Sequence, residues 1–114
     1  MSTSTSLELE RFIERIAVLP DERARRRLVR RNHALHQPGT VQRLYEEMTR
    51  RARTDLRETE RLARATAWLA EILKDDISYG YSQRAAGHMF FLRGKQKLAL
   101  VRYEAAVALF ERAG

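Results

Sequence analysis

Six residues in the last third of the chain do most to limit what it can fold into: Gly87, Phe90, Gly94, Ala99, Tyr103 and Ala106. Phe90 follows Gly87 after three positions, and Ala99, Tyr103 and Ala106 recur at intervals of four and three. Each set therefore falls on one side of a helix. Gly94 between them supplies a turn. Small residues at 87, 99 and 106 allow two helix axes to approach closely, and the aromatics fill the space beside each approach. The pattern predicts a hairpin of one helix over about 81–93 and another over about 95–112.

The rest of the chain reads as helix too. Only five Gly and two Pro interrupt 114 residues, and the abundant Ala, Leu, Arg and Glu lose little side-chain freedom in a helix. A first helix is expected from Thr5 or Ser6, with Thr5 and Glu8 as a capping box. It carries Leu9, Phe12, Ile13, Ile16 and Ala17 on one face. Pro20 ends it and can open a second helix that reaches about His36, with Ala24, Leu28, Asn32 and Leu35 turned inward. Gln37, Pro38 and Gly39 form the clearest break, and Thr40 is the expected cap of a third helix that buries Val41, Leu44, Tyr45, Met48 and Ala52. Asp55 with Glu58 reads as the capped start of a long fourth helix to about Leu73, with Leu62, Ala65, Leu69, Ile72 and Leu73 along one side. Lys74 to Tyr79 is expected to be a short loop.

The final hairpin resembles a tetratricopeptide repeat, in which Gly and an aromatic mark the first helix and Ala, aromatic and Ala mark the second at these intervals. Gln83, Ala86 and Glu111 stand where that family often has Trp, Leu and Pro. A shift of about forty residues lays Asp55, Thr59, Ala63 and Thr66 over Lys95, Ala99, Tyr103 and Ala106. The segment from Asp55 to Phe110 then resembles the longer-repeat arrays of large bacterial regulatory proteins, including those that precede CHAT peptidase domains. The His and Cys pair of such a peptidase is missing, because the chain has no Cys. The resemblance implies an all-α, tetratricopeptide-like stack of about three antiparallel helix pairs. Residues 77–114 are the clear repeat, 38–76 a degenerate pair and 6–37 a degenerate capping pair, after a disordered tail over 1–5.

Such repeats are binding surfaces rather than catalysts, so the resemblance implies a scaffolding or protein-interaction module that takes a peptide or partner protein on its concave wall. That wall is built by the first helix of each pair, here by Tyr81, Arg84, His88 and Phe91. Arg84 suits a carboxylate, and Tyr81 or Phe91 an apolar side chain. His88 stands where the family's carboxylate clamp has Asn. On the third helix, Arg43, Glu47, Arg50 and Arg51 read as a solvated face of mixed charge. On helix six, Leu100, Val101, Tyr103, Val107, Leu109 and Phe110 exceed what one partner helix covers. This predicts an assembly face, met by further repeats or by another copy.

Charge supplies the competing reading. The net charge is +7, and Asp21 to Arg31 holds Arg23, Arg25, Arg26, Arg27, Arg30 and Arg31 against two acids. Such a run can attract an acidic partner or neutralise phosphates, as in a basic helical nucleic-acid adaptor. It lacks interleaved aromatics for base stacking and any recognisable helix-turn-helix, which favours the protein-interaction reading. His33 and His36 lack further ligands at metal-binding spacing. Asp75 and Asp76 suit helix capping better than proton transfer. No metal, cofactor or catalytic constellation is expected. No secretory leader or membrane-length apolar run is seen, so a cytoplasmic protein is expected.

Overall fold

The computed structural model describes residues 3–114, with side chains described from Ser6 onward. It is all-helical: α1 (Thr3–Val18), α2 (Glu22–Arg31), a single 3-10 turn (His33–Leu35), α3 (Pro38–Arg51), α4 (Leu56–Leu73), α5 (Asp76–Leu92) and α6 (Gln96–Ala113). Among the described residues there is no strand.

Two hairpins form the frame. α3 packs along α4 and α5 along α6, and α5 lies in the groove between α3 and α4 while holding α6 on its far side. The expected first pair is different. α1 and α2 barely touch; each lies mainly on α4, so residues 6–37 form two helices laid on the first hairpin and not a third hairpin. The reason lies in α2, where Val29 is the one fully buried apolar side chain and the helix has no apolar stripe to offer α1. The core joins Phe12, Ile13 and Ile16 of α1 to Val29, Val41, Leu44, Met48, Leu62 and Leu69. Ile72, expected inside, is exposed at the end of α4.

Helix ends follow local chemistry. The Asp55 carboxylate accepts from the amides of Arg57 and Glu58, at 2.9 and 3.1 Å, and opens α4 as expected. α3 opens at Gln37, with Pro38 in its first turn; Thr40, expected as the cap, is buried inside that turn. Pro suits this place because its missing N–H would have had no partner there. α2 is capped by Asp21, so Pro20 lies outside it, and α2 ends at Arg31, short of His36. α5 starts at Asp76, within the segment expected to be a loop. Lys74 turns the chain at φ 57° and Asp75 caps the helix, accepting from the Ser78 amide at 2.8 Å and the Ser78 hydroxyl at 2.7 Å. α1 extends back to Thr3, into the expected tail; the Thr5 half of the expected capping box lies outside the described side chains.

The close approach of α5 and α6 is real. A Cβ placed on Gly87 would stand 2.9 Å from the Tyr103 ring and 3.2 Å from the Ala99 carbonyl oxygen, and one on Gly80 would stand 2.7 Å from the Phe110 ring. Ala99 and Ala106 are buried at the same seam. Gly94 makes the turn at φ 76°, a conformation that costs other L-residues energy.

Candidate functional site

Because α5 lies between α3 and α6, one strip of it stays open to solvent. Arg84 and Phe91, two helical turns apart, are both exposed, Phe91 to 54%. Beside this strip lies a cleft of about 680 Å³, walled by Tyr45 of α3, Arg84 of α5, and Tyr103, Val107, Phe110 and Glu111 of α6. The aromatic wall is closely packed. Tyr81 is wedged between Tyr45 and Phe110, with ring centroids 5.6 and 4.9 Å away, the second contact edge-on. The Arg84 guanidinium lies 5.3 Å from the centre of the Tyr45 ring and has no carboxylate partner among the described residues. Burial pushes the Tyr103 hydroxyl above its ordinary pKa, so it stays protonated in the cleft. The site thus sets one cation among aromatic and aliphatic carbon, with the Glu111 carboxylate also on its lining.

The four expected contact residues divide. Arg84 lines the cleft, Phe91 shares its strip, and Tyr81 acts from behind as a support whose ring is packed between two others. His88 points elsewhere, toward a separate cleft of about 560 Å³ shared with Thr49, Arg53 and Leu92. Its Nε2 is buried without a hydrogen-bond partner, and desolvation lowers its pKa, favouring the neutral ring. Tyr45 is the wall residue that sequence reasoning assigned to the core. The cue was the amphipathic character of Tyr, which suits a half-wet wall.

The expected assembly residues of α6 also do not form one face. Leu100, Val101 and Val107 are exposed, whereas Tyr103, Leu109 and Phe110 are half-buried, Tyr103 and Phe110 against the two glycines of α5. Val107 borders the aromatic cleft, and Val101 lies about a third of a turn round the helix from it.

Two charged groups depart from expectation. Arg25 is only 6% exposed; its guanidinium donates to the carbonyls of Leu19 and Pro20 at 2.7 and 2.9 Å and holds the corner between α1 and α2. It therefore does not belong to the surface run. Arg26 lies over Trp68 at 5.7 Å, while Arg23, Arg27, Arg30 and Arg31 are exposed without ion-pair partners among the described residues.

On α3 the expected solvated face is an ionic seam. Glu47 is 3% exposed and accepts from Arg43, Arg50 and Arg51; Arg43 reaches Glu10, and Arg51 reaches Glu14 and Glu58. The Arg50 and Arg51 hydrogen bonds hold the Glu47 carboxyl at about 2, against the opposing effect of burial.

Among the described residues no group of three or more His, Cys, Asp and Glu is arranged to hold a metal. The rings of His33 and His36 lie 5.1 Å apart, and His36 Nε2 is hydrogen-bonded to the Val29 carbonyl. Asp75 is engaged as a cap, and Asp76 pairs with Arg112 at 2.7 Å, which holds its carboxyl below the usual range. No helix of the described residues is long and apolar enough to cross a membrane. Compared with protein-family models, curated proteins and solved structures, the chain matches none.

Proposed function

We propose that the chain is a protein-interaction module that seats a segment of a partner protein in the cleft between α3, α5 and α6. The observation that carries this reading is Arg84, an unpaired guanidinium stacked on Tyr45 and surrounded by Tyr103, Val107 and Phe110. A fitting segment carries an acidic group for Arg84 beside one or two large apolar side chains. Arginine and tyrosine are the residue types that most often dominate binding energy at such sites, and the packed ring of Tyr81 leaves little conformational freedom to be lost on binding. Binding, and not catalysis, is the reading because the successive acids Asp75 and Asp76 are occupied in a cap and an ion pair.

We further read the two hairpins as tetratricopeptide-like repeats within a scaffold that regulates a larger assembly. Supporting this are the Gly87–Tyr103 seam and the matched ends of α4 and α6, from Leu56 to Leu73 and from Gln96 to Ala113. The bare Leu100 and Val107 suit contact with further repeats or another copy. Site-specific photo-crosslinking in cells tests the cleft. A crosslinker in place of Phe91 is expected to trap a discrete partner, and Arg84→Ala to abolish the adduct with helical circular dichroism intact. The same adducts from a crosslinker in place of Arg53, or insensitivity to Arg84→Ala, would overturn the reading.

A further inference from the structure

A second cleft, of about 530 Å³, opens between α1 and the end of α2 and shares no residue with the aromatic one. Arg11 and Arg15 of α1 line one side, and Arg31 and His33 line the other. Glu8 is the sole acid on its lining. Arg11 and Arg15 are one helical turn apart, an arrangement in which like charges repel. Among the described residues, none of the three arginines has an ion-pair or hydrogen-bond partner.

Their isolation is a consequence of where the nearby acids go. Glu10 and Glu14 of α1 turn to Arg43 and Arg51, and Glu22 of α2 turns to Arg64. These three carboxylates are thus used to fasten α1 and α2 to α3 and α4, which leaves three arginines against Glu8 alone on the cleft lining. The surplus continues outward along α2 as Arg23, Arg27 and Arg30, exposed and unpaired.

We propose that this end of the molecule binds the phosphodiester backbone of a nucleic acid, with the Arg11, Arg15 and Arg31 cleft as the centre of the site. Guanidinium groups match phosphate oxygens through paired N–H donors. A row of charge running from the cleft along a helix suits a repeating polyanion better than a compact one. Of the two rings on the cleft lining Phe12 is buried, and the exposed His33 imidazole, 5.1 Å from that of His36, is the single ring offered for base stacking. Recognition is therefore of the backbone, tolerant of sequence and steeply dependent on salt. The site differs from the Asp21 to Arg31 run as a whole. Arg25 and Arg26 are occupied elsewhere, and two arginines of α1 take their place.

Fluorescence anisotropy of the full chain with labelled single-stranded and duplex DNA of about 20 nucleotides, from about 50 to 200 mM salt, tests this. Arg11→Gln with Arg15→Gln and Arg31→Gln is expected to lower affinity at least about tenfold and to reduce the salt slope by about two to three. The charge-matched control, Arg53→Gln with Arg57→Gln and Lys97→Gln, removes three exposed and unpaired charges elsewhere and is expected to change affinity about twofold or less. Circular dichroism melts establish that both triple variants are folded. Equal losses from the two triples would reduce the binding to net charge and overturn the site. So would absence of binding at the lowest salt, or equal binding of poly-glutamate, which would mark the end as a dock for acidic protein. Saturation by inorganic pyrophosphate with no binding of either oligonucleotide would also overturn it, in favour of a compact anion.

Discussion

The two hairpins share a layout and solve the same packing problem with different chemistry. In α3–α4 an ionic cluster joins the apolar core: Glu47 sits buried among Arg43, Arg50 and Arg51 of its own helix, and Arg51 crosses to Glu58 of α4. The buried Thr59 and Thr66 turn their hydroxyls back to the carbonyls of Asp55 and Leu62, at 2.8 Å each, and so pack as small apolar residues. In α5–α6 the seam is glycine against an aromatic ring, at Gly87 with Tyr103 and Gly80 with Phe110, with Ala99 and Ala106 where α4 has its threonines. Coverage differs as well. α4 is packed by α1, α2, α3 and α5, whereas α6 has α5 as its main neighbour. Yet α6 has Leu98 and Val101 exposed at the positions where α4 uses Glu58 and Arg61 to bind Arg51 and the Ala17 carbonyl. The inner helix spends charge on its neighbours, and the outer one presents carbon to solvent.

The largest effect expected from this contrast is at the glycine seam. Gly87→Leu should destabilise the protein by about 3 kcal/mol, since the added side chain meets both the Tyr103 ring and the Ala99 backbone. Urea denaturation measures it, and an unchanged midpoint would remove the steric account of this hairpin.

The ionic seam comes next. Glu47→Gln should cost about 2 kcal/mol at neutral pH, less than loss of an isolated buried pair because Arg51 keeps Glu14 and Glu58 and Arg50 is largely solvated. The native pKa of Glu47 is depressed from 4.5 to about 2, so its contribution is fully present above the unfolded value and is lost as pH falls from about 4.5 toward 2. Stability profiles of wild type and Glu47→Gln should therefore converge across that window. Parallel profiles would mean that the carboxylate contributes nothing through its charge.

The smallest effect sharpens the difference in coverage. Leu98→Gln with Val101→Gln should stay within about 0.5 kcal/mol of wild type in thermal melts, because both side chains are already in water. A drop comparable to the Glu47 variant would show that α6 is covered in solution by another copy.

What the sequence made legible was whatever rested on local chemistry. The Asp55 cap, the Gly94 turn and the apolar faces of α1 and α3 all depend on residues within a turn or two of each other. The start of α5 was hidden because Lys74 adopts a left-handed conformation more usual for Gly or Asn, and because Gly80 reads as a loop residue when its true role is to admit Phe110. Arg25 and Glu47 were hidden for another reason. The partners of Arg25 are backbone carbonyls of a corner, and those of Glu47 are arginines one turn away on its own helix, a spacing that shows the pairing and not that the carboxylate is buried. The aromatic cleft was partly legible, through Arg84, the one expected contact residue that lines it. Tyr45 entered it only when α5 was set into the groove of the first hairpin.

Trp68, the chain's single tryptophan, lies on α4 beneath Arg26, while the four tyrosines occupy α3, α5 and α6. The protein thus carries two optical reporters on different parts of one framework. Indole emission senses the lifting of α2, and tyrosine absorbance senses the loosening of the rings around α5. A chain whose first two helices add ion pairs to their apolar contacts, and whose last hairpin is fastened by rings, need not lose both at once. Adding salt should advance the first signal ahead of the second.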